Sequence, residues 1–293
     1  MKVLVTGATG YIGAHVVKAL YNDGHEVWGT DYDNKQNDIS KYIQRYYHFD
    51  IREYNGRYDR VDKIVHIGAV TKVHNSVKDP YNHYLTNVIG TKNVMEGWPC
   101  KHFIYCSTGS AFIPQSNPYA GSKHAGELIT QQFYPQQNSI VRFYNLSGND
   151  GFSKYDDEMS HLIRKAARVV NHYKHKHNST EHKEFYLYGT DYDTRDGTTI
   201  RNYTHVSDIA DSMVSIVNNE PSGEIDCLGA PEGTSVKEVI KTMKKVSGID
   251  FPVIYKQRRL GDVAVSTVPH HSKHFINKRS LEQMCIDALE YEK

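Results

Sequence analysis

The stretch VLVTGATGYIGAHVVKAL, Val3 to Leu20, decides the fold. A β-rich apolar run ends at Thr6, glycines follow at positions 7, 10 and 13, and from Tyr11 the apolar residues recur at helical spacing. A strand that feeds a glycine-rich turn opening a helix is the arrangement in which the backbone bends tightly and approaches a bound pyrophosphate. The amides and dipole of the helix N-terminus then favour the negative charge. Gly7, Gly10 and Gly13 form a GxxGxxG spacing close to the dinucleotide fingerprint, with Tyr11 and Ile12 inside it. Alone, such a triplet also describes an ordinary tight turn. Here a strand precedes it, a helix follows it, and the next strand-like run, EVWGTD, ends in Asp31. A carboxylate there accepts hydrogen bonds from both ribose hydroxyls of an adenosine and repels a 2′-phosphate. No arginine follows directly in DYDNKQND, so the expected cofactor is NAD rather than NADP.

Outward from this unit the same rhythm continues. Short β-rich runs recur as KVLVT (2–6), EVWGTD (26–31), YYHFD (46–50), KIVHIG (63–68), HFIYCST (102–108) and SIVRFYN (139–145). Between them, 11–22, 80–97 and 118–133 carry helical patterns, so the expectation is βαβ units in a Rossmann-like, doubly wound parallel sheet. After Gly148 the rhythm weakens. A helix is expected over 158–170, and the polar run NHYKHKHNSTEHKE reads as a loop. His175 and His177 in that run have a spacing a metal can use, but a solvated basic loop is the plainer reading and no metal site is expected. Ser235 is placed to cap a helix whose apolar face is Val236, Val239, Ile240 and Met243.

The 293 residues carry 35 Lys and Arg against 34 Asp and Glu, a net charge of +1. That balance gives no electrostatic ground for a nucleic-acid or membrane partner, so an anionic ligand has to be held by local groups. The start MKVLVTGATGYIG lacks the pattern of a secretory signal, and no apolar run is long enough to cross a bilayer, so a soluble, cytoplasmic protein is expected. Cys100, Cys106, Cys227 and Cys285 fall in no CxxC or CxxH spacing and are expected to be free thiols.

SNPYAGSKHAGE, 116–127, places Tyr119 and Lys123 four residues apart, one above the other on a helix. In isolation this is an ordinary amphipathic turn. Beside a nicotinamide it becomes a phenol that can act as general base toward a substrate hydroxyl, with an ammonium that tunes it and holds the nicotinamide ribose. The end of the preceding strand offers Ser107 and Thr108, and Thr108 is chosen as the hydroxyl that bridges substrate and phenol.

With the glycine loop, Asp31, the DI pair Asp50 and Ile51, NVIGT from Asn87, and YxxxK, the sequence resembles the extended short-chain dehydrogenase/reductase family. Within it, LYGTDYDTRDGTTIRNYTHVSDIADSMV (187–214), VRFYNLSG (141–148) and RRLGD (258–262) are similar to the UDP-glucose 4-epimerase group. The resemblance implies a UDP-sugar substrate, a homodimer, and an NAD domain at 1–148. It also implies a smaller C-terminal α/β substrate region at 149–293, with a crossover back to the first domain near 190–215. It adds Ile67 and Gly68 to the cofactor site. It gives Asn145 to the sugar or pyrophosphate, Arg201 and Arg259 to the phosphates, Asp262 to the uridine ribose, and Ser266 to a gate beside the sugar C2 substituent. Dehydratases of the family carry carboxylates just after the catalytic hydroxyl, where Gly109, Ser110 and Ala111 stand here; non-catalytic NAD sensors lose the Tyr and Lys. Phe112 and Ile113, and Gly68 and Thr71, depart from the usual pattern.

Overall fold

The computed structural model describes residues 1–32, 38–53, 56–151, 161–174, 183–230, 232–259 and 262–291. His175 and His177 lie outside them.

The N-terminal part runs β1 (Lys2–Thr6), α1 (Tyr11–Asn22), β2 (Glu26–Asp31), β3 (Arg45–His48) and β4 (Lys63–His66). It continues with α2 (Val73–Lys78), α3 (Pro80–Tyr84), a π-helical stretch over Leu85–Gly90, α4 (Thr91–Gly97), β5 (His102–Thr108), α5 (Pro118–Phe133), β6 (Asn138–Phe143) and β7 (Asn145–Ser147). There follow α6 (Leu162–Lys174), β8 (Phe185–Tyr188), β9 (Ile200–Arg201), β10 (Tyr203–His205), α7 (Val206–Asn218) and β11 (Ile225–Leu228). The chain ends with β12 (Thr234–Ser235), α8 (Val236–Ser247), β13 (Val253–Lys256), β14 (Val265–Ser266) and α9 (Leu281–Tyr291).

Seven parallel strands form one sheet in the order β11-β6-β5-β4-β1-β2-β3. Each strand alternates between two covered faces, which is why the runs read as nearly continuous apolar sequence. Val3 and Val5 join Ile104 and Cys106 under α1 and α7. Leu4 joins Trp28, Ile64, Phe103 and Tyr105 against Val94, Met95 and Trp98 of the opposite layer. The strand order reverses between β1 and β4, so a crevice opens there at the carboxyl ends of the strands.

The seventh strand was not anticipated. After leaving the sheet at β7 the chain returns through α7, packed on α1, and β11, which pairs with β6 from Ile225↔Ile140 to Leu228↔Phe143. The return thus extends to Leu228, beyond the 190–215 span. IDCL is short and carries an aspartate, so it gives little strand signal of its own. A separate core forms from α6, α8, α9 and β8, including Ile163, Phe185, Val239, Met243 and Cys285. Here Ser235 caps α8 in a full capping box with Glu238, as its position predicts.

Candidate active site

The glycine loop holds its shape because backbone takes the space of side chains. Gly7 has φ +65°, and a β-carbon on it would sit 2.9 Å from the Gly68 Cα. A β-carbon on Gly13 would lie 2.0 Å from the Gly7 carbonyl oxygen. Gly68 therefore answers Gly7: the small residue after β4 lets the two turns touch. Gly10 precedes α1 with no side-chain cap, and the first turn of a helix points its amides out of the helix end. This cradle fits a pyrophosphate.

Asp31 ends β2 directly beside the loop. Its Oδ2 accepts from the Thr9 amide at 3.1 Å and the Thr9 hydroxyl at 2.7 Å, while its Oδ1 accepts from the Tyr32 amide at 2.9 Å. The carboxylate is fixed yet half-exposed at the sheet edge, as ribose recognition requires. Thr9, inside the glycine motif, gave no separate sequence signal. Asp50 is gripped by Arg52, whose Nε is 3.0 Å from each carboxylate oxygen, and this hydrogen bonding holds its carboxyl below the usual range. Ile51 lies against Gly90, and its carbonyl accepts from Asn93 at 3.0 Å.

A buried chain of hydrogen bonds joins the loop to α5. The Gly68 amide donates to Thr6 Oγ1 (3.0 Å), which meets His66 Nδ1 at 2.8 Å. His66 Nε2 lies 2.9 Å from Thr91 Oγ1, which donates to the Asn87 carbonyl at 2.8 Å. With Thr91 donating onward, His66 gives its Nε2 proton and accepts at Nδ1, and burial, pushing its pKa down to about 3, keeps it neutral. The Asn87 side chain, in the π-helical stretch, bonds the amide and carbonyl of Val70 and also Ser122 Oγ, each at 2.9 Å. Ser122 Oγ then donates to the Tyr119 carbonyl at 2.8 Å. Asn87 therefore stands in the framework between the glycine loop and α5. Ile67 is half-buried against the sheet core.

α5 starts at Tyr119's turn because Asn117 accepts from the Ala120 amide at 2.9 Å and Pro118 supplies the fixed first φ. The Thr108 hydroxyl faces the Tyr119 phenol and favours its ionised form. The alternation of β5 separates the two hydroxyls considered there: Ser107 points inward, donating to Glu127 at 2.5 Å, and Thr108 meets the phenol. Lys123 is buried, its Nζ 4.1 Å from the centre of the Tyr105 ring. The electrostatics differ from the expected pull on the phenol. Burial pushes the Tyr119 phenol up to about 12 and brings Lys123 down to about 8. Desolvation outweighs the influence of Thr108, and the ammonium lies over Tyr105.

On the C-terminal side, β9 and β14 pair in parallel with Ser266 opposite Arg201. Arg201 donates to the carbonyls of Ile200 (2.8 Å) and Val263 (2.9 Å) and lies 3.8 Å from Asp262. Arg259 rests on the Tyr188 ring at 3.9 Å, while its neighbour Arg258 pairs with Asp191 at 2.8 Å. Asn145 donates to the Asn202 carbonyl at 3.0 Å. Asn202, which sequence reading passed over, ties Ala230 and Val268 to the same junction, both at 2.5 Å.

Fold and site together define an NAD-dependent enzyme of the extended short-chain dehydrogenase/reductase class. The chain belongs to the NAD dependent epimerase/dehydratase family, whose model matches residues 3–227. It is 31% identical over 296 residues to a UDP-glucose 4-epimerase of Halalkalibacterium halodurans, covering 90% of this chain and 86% of that protein. It is 26% identical over 334 residues to that of Bacillus subtilis, covering 98% and 96%. Among solved structures it matches the Bifidobacterium longum UDP-glucose 4-epimerase in complex with NAD+ and UDP, with a TM-score of 0.82 and 26% identity, over 100% of this chain and 98% of that one. It also matches the UDP-Glc/GlcNAc 4-epimerase of Campylobacter jejuni, with a TM-score of 0.77 and 28% identity, over 99% and 98%.

The anchored carboxylate at the loop generates a prediction. Replacing Asp31 with Ala is expected to weaken NAD binding and erode the preference for NAD over NADP, because the group both accepts from ribose hydroxyls and repels phosphate. Titration of both dinucleotides checks this; an unchanged preference removes Asp31 from the site.

Proposed function

We propose that the protein inverts C4 of a UDP-hexose, interconverting UDP-glucose and UDP-galactose in the cytoplasm as part of galactose metabolism. The observation that carries the reading is Thr108, at the carboxyl end of β5, facing Tyr119 on α5 with Lys123 buried one turn further on, in the same sheet whose β1 and β2 ends carry the glycine cradle and Asp31. The relatives' names, UDP-glucose 4-epimerase, supply the substrate class.

Tyr119 takes the proton of the 4-hydroxyl and later returns it, with Thr108 holding the oxygen between them. Gly7, Gly10, Gly13 and Gly68 would hold NAD with Asp31 at its ribose, and when bound it would supply hydride acceptance and return at C4 and a positive charge opposing the burial of the phenol. Lys123 holds the nicotinamide ribose. Arg201 and Arg259 retain the diphosphate while the 4-keto sugar turns, Asn145 contacts the sugar or pyrophosphate, and Asp262 the uridine ribose. No net redox change results.

A 4,6-dehydratase needs acid and base beside Thr108. Instead, Gly109, Ser110 and Ala111 form a short 3₁₀ turn, and Gly109 sits so close to the Tyr144 ring that a β-carbon would lie 2.5 Å from it. The four free cysteines accord with a reducing compartment, and no helix among the described residues is long and apolar enough to cross a membrane.

Tyr119→Phe is expected to fold and bind NAD but to lose turnover by at least about 100- to 10,000-fold, the worth of a positioned general base. Near-normal turnover would mean that Tyr119 is not the base.

The sugar gate supports a wider substrate range. Ser266 is exposed, and its register opposite Arg201 puts a small hydroxyl side chain beside the proposed phosphate clamp. A serine there leaves room for an acetamido group at C2. UDP-N-acetylglucosamine is therefore expected to be epimerised too, and Ser266→Tyr to remove that activity while largely sparing UDP-glucose. Comparing kcat/KM for both sugars in both proteins checks it; equal losses, or none, rule out the gate.

The assembly we favour is a homodimer packed through 80–97 and 118–133. Tyr81, Tyr84, Leu128 and Phe133 are exposed there, joined by Ile89, while Leu85, Val88 and Ile129 are half-buried within the protomer. That row of uncovered apolar side chains on adjacent helices suits a two-fold interface. Light scattering at micromolar concentration should give twice the protomer mass, and a monomer would refute it.

A further inference from the structure

Glu127 follows Lys123 by four residues and Tyr119 by eight, so all three stand on one face of α5. Unlike the other two, Glu127 lies behind the site, 2% exposed. Its carboxylate is fully engaged. Arg142 of β6, itself 3% exposed, donates from Nε to Oε1 at 2.7 Å and from Nη2 to Oε2 at 2.6 Å. Ser107 of β5 donates to Oε1 at 2.5 Å, and His124 Nδ1 lies 3.3 Å from Oε2. The outer face of the Arg142 guanidinium is covered by the Phe112 ring at 4.0 Å.

A buried ion pair contributes little net stability against an apolar pair of the same shape, so its presence calls for another reason. The geometry supplies one. The carboxylate clamps together the strand end that carries Thr108, through Ser107, and the helix that carries Tyr119 and Lys123. It is also the one carboxylate, among the described residues, whose charge acts on Lys123.

Resting on the epimerase reading, we infer that Glu127 is a positioning residue of the reaction, with Ser107 and Arg142 as its partners. Through its bonds to Ser107 and Arg142 it sets the distance between the Thr108 hydroxyl and the Tyr119 phenol. The groups facing this charge cluster are Tyr105 and Cys106 of β5, His66 of β4, Arg142 of β6, Cys227 of β11 and His124 on α5 itself. Glu127 favours the protonated form of Lys123, which burial disfavours. Activity that depends on charged Lys123 is lost as pH rises through its pKa, so removing the Glu127 charge moves that loss to lower pH.

Two variants test this, each compared with wild-type enzyme in the same epimerisation assay. Wild-type turnover tests the epimerase reading; the variant-to-wild-type ratio tests this one. Ser107→Ala leaves the ion pair intact and cuts its link to β5. It is expected to lower kcat about tenfold or more, as small misplacements of reacting groups do, with KM for the UDP-sugar and the melting temperature little changed. Glu127→Gln keeps the shape and removes the charge; it is expected to lower kcat further and shift the alkaline limb of kcat to lower pH. If Glu127→Gln does not fold, Ser107→Ala decides alone. A kcat for Ser107→Ala within about twofold of wild type, too small a change for a lost alignment, or an unmoved alkaline limb in folded Glu127→Gln, overturns the inference.

Discussion

The Gly7 carbonyl oxygen occupies the space that a β-carbon on Gly13 would need, at 2.0 Å, and the rest of the site depends on that contact. It brings α1 down onto β1, so the helix N-terminus opens at the strand end rather than beyond it. Gly68 then meets Gly7 across the switch point of the sheet. From Gly68 the hydrogen bonds through Thr6, His66, Thr91 and Asn87 reach Ser122 and the Tyr119 carbonyl. The glycine cradle and the helix that carries Tyr119 and Lys123 are thus two ends of one buried polar network. A fully satisfied network in a low-dielectric interior is rigid, and a neutral His66 in its middle lets it be buried without a charge.

Electrostatics divide the work between protein and cofactor. With burial the largest influence on each, Tyr119 is a weak acid, pushed up to about 12, and Lys123 is easier to deprotonate, brought down to about 8. Neither value suits a base working near neutrality. Glu127 behind Lys123 favours the ammonium, and a positive charge brought into the site would favour the phenolate.

Much of this was legible in the sequence where local and tertiary preferences agree. KVLVT, EVWGTD and HFIYCST are strands with the read limits, and α1 and α5 span Tyr11–Asn22 and Pro118–Phe133 as their glycine and Asn-Pro starts indicate. Those segments alternate or repeat cleanly because each buries a defined face. β11 was not legible, since a four-residue strand at a sheet edge takes its identity from the partner it finds. The π-helical stretch around Asn87 and the Glu127–Arg142 pair were also missed: both arise from contacts between segments far apart in sequence, and a Glu on a helix reads as a solvated face. YxxxK falls on the first turns of α5, and the same face extended by four residues holds the buried carboxylate.

The most direct measurement is incubation of the purified protein with UDP-galactose without added NAD, followed by separation of the nucleotide sugars. A C4 epimerase that retains its cofactor and undergoes no net redox change converts the substrate to UDP-glucose until equilibrium. Formation of a 4-keto-6-deoxy sugar instead, or no conversion even after NAD is supplied, would contradict the account.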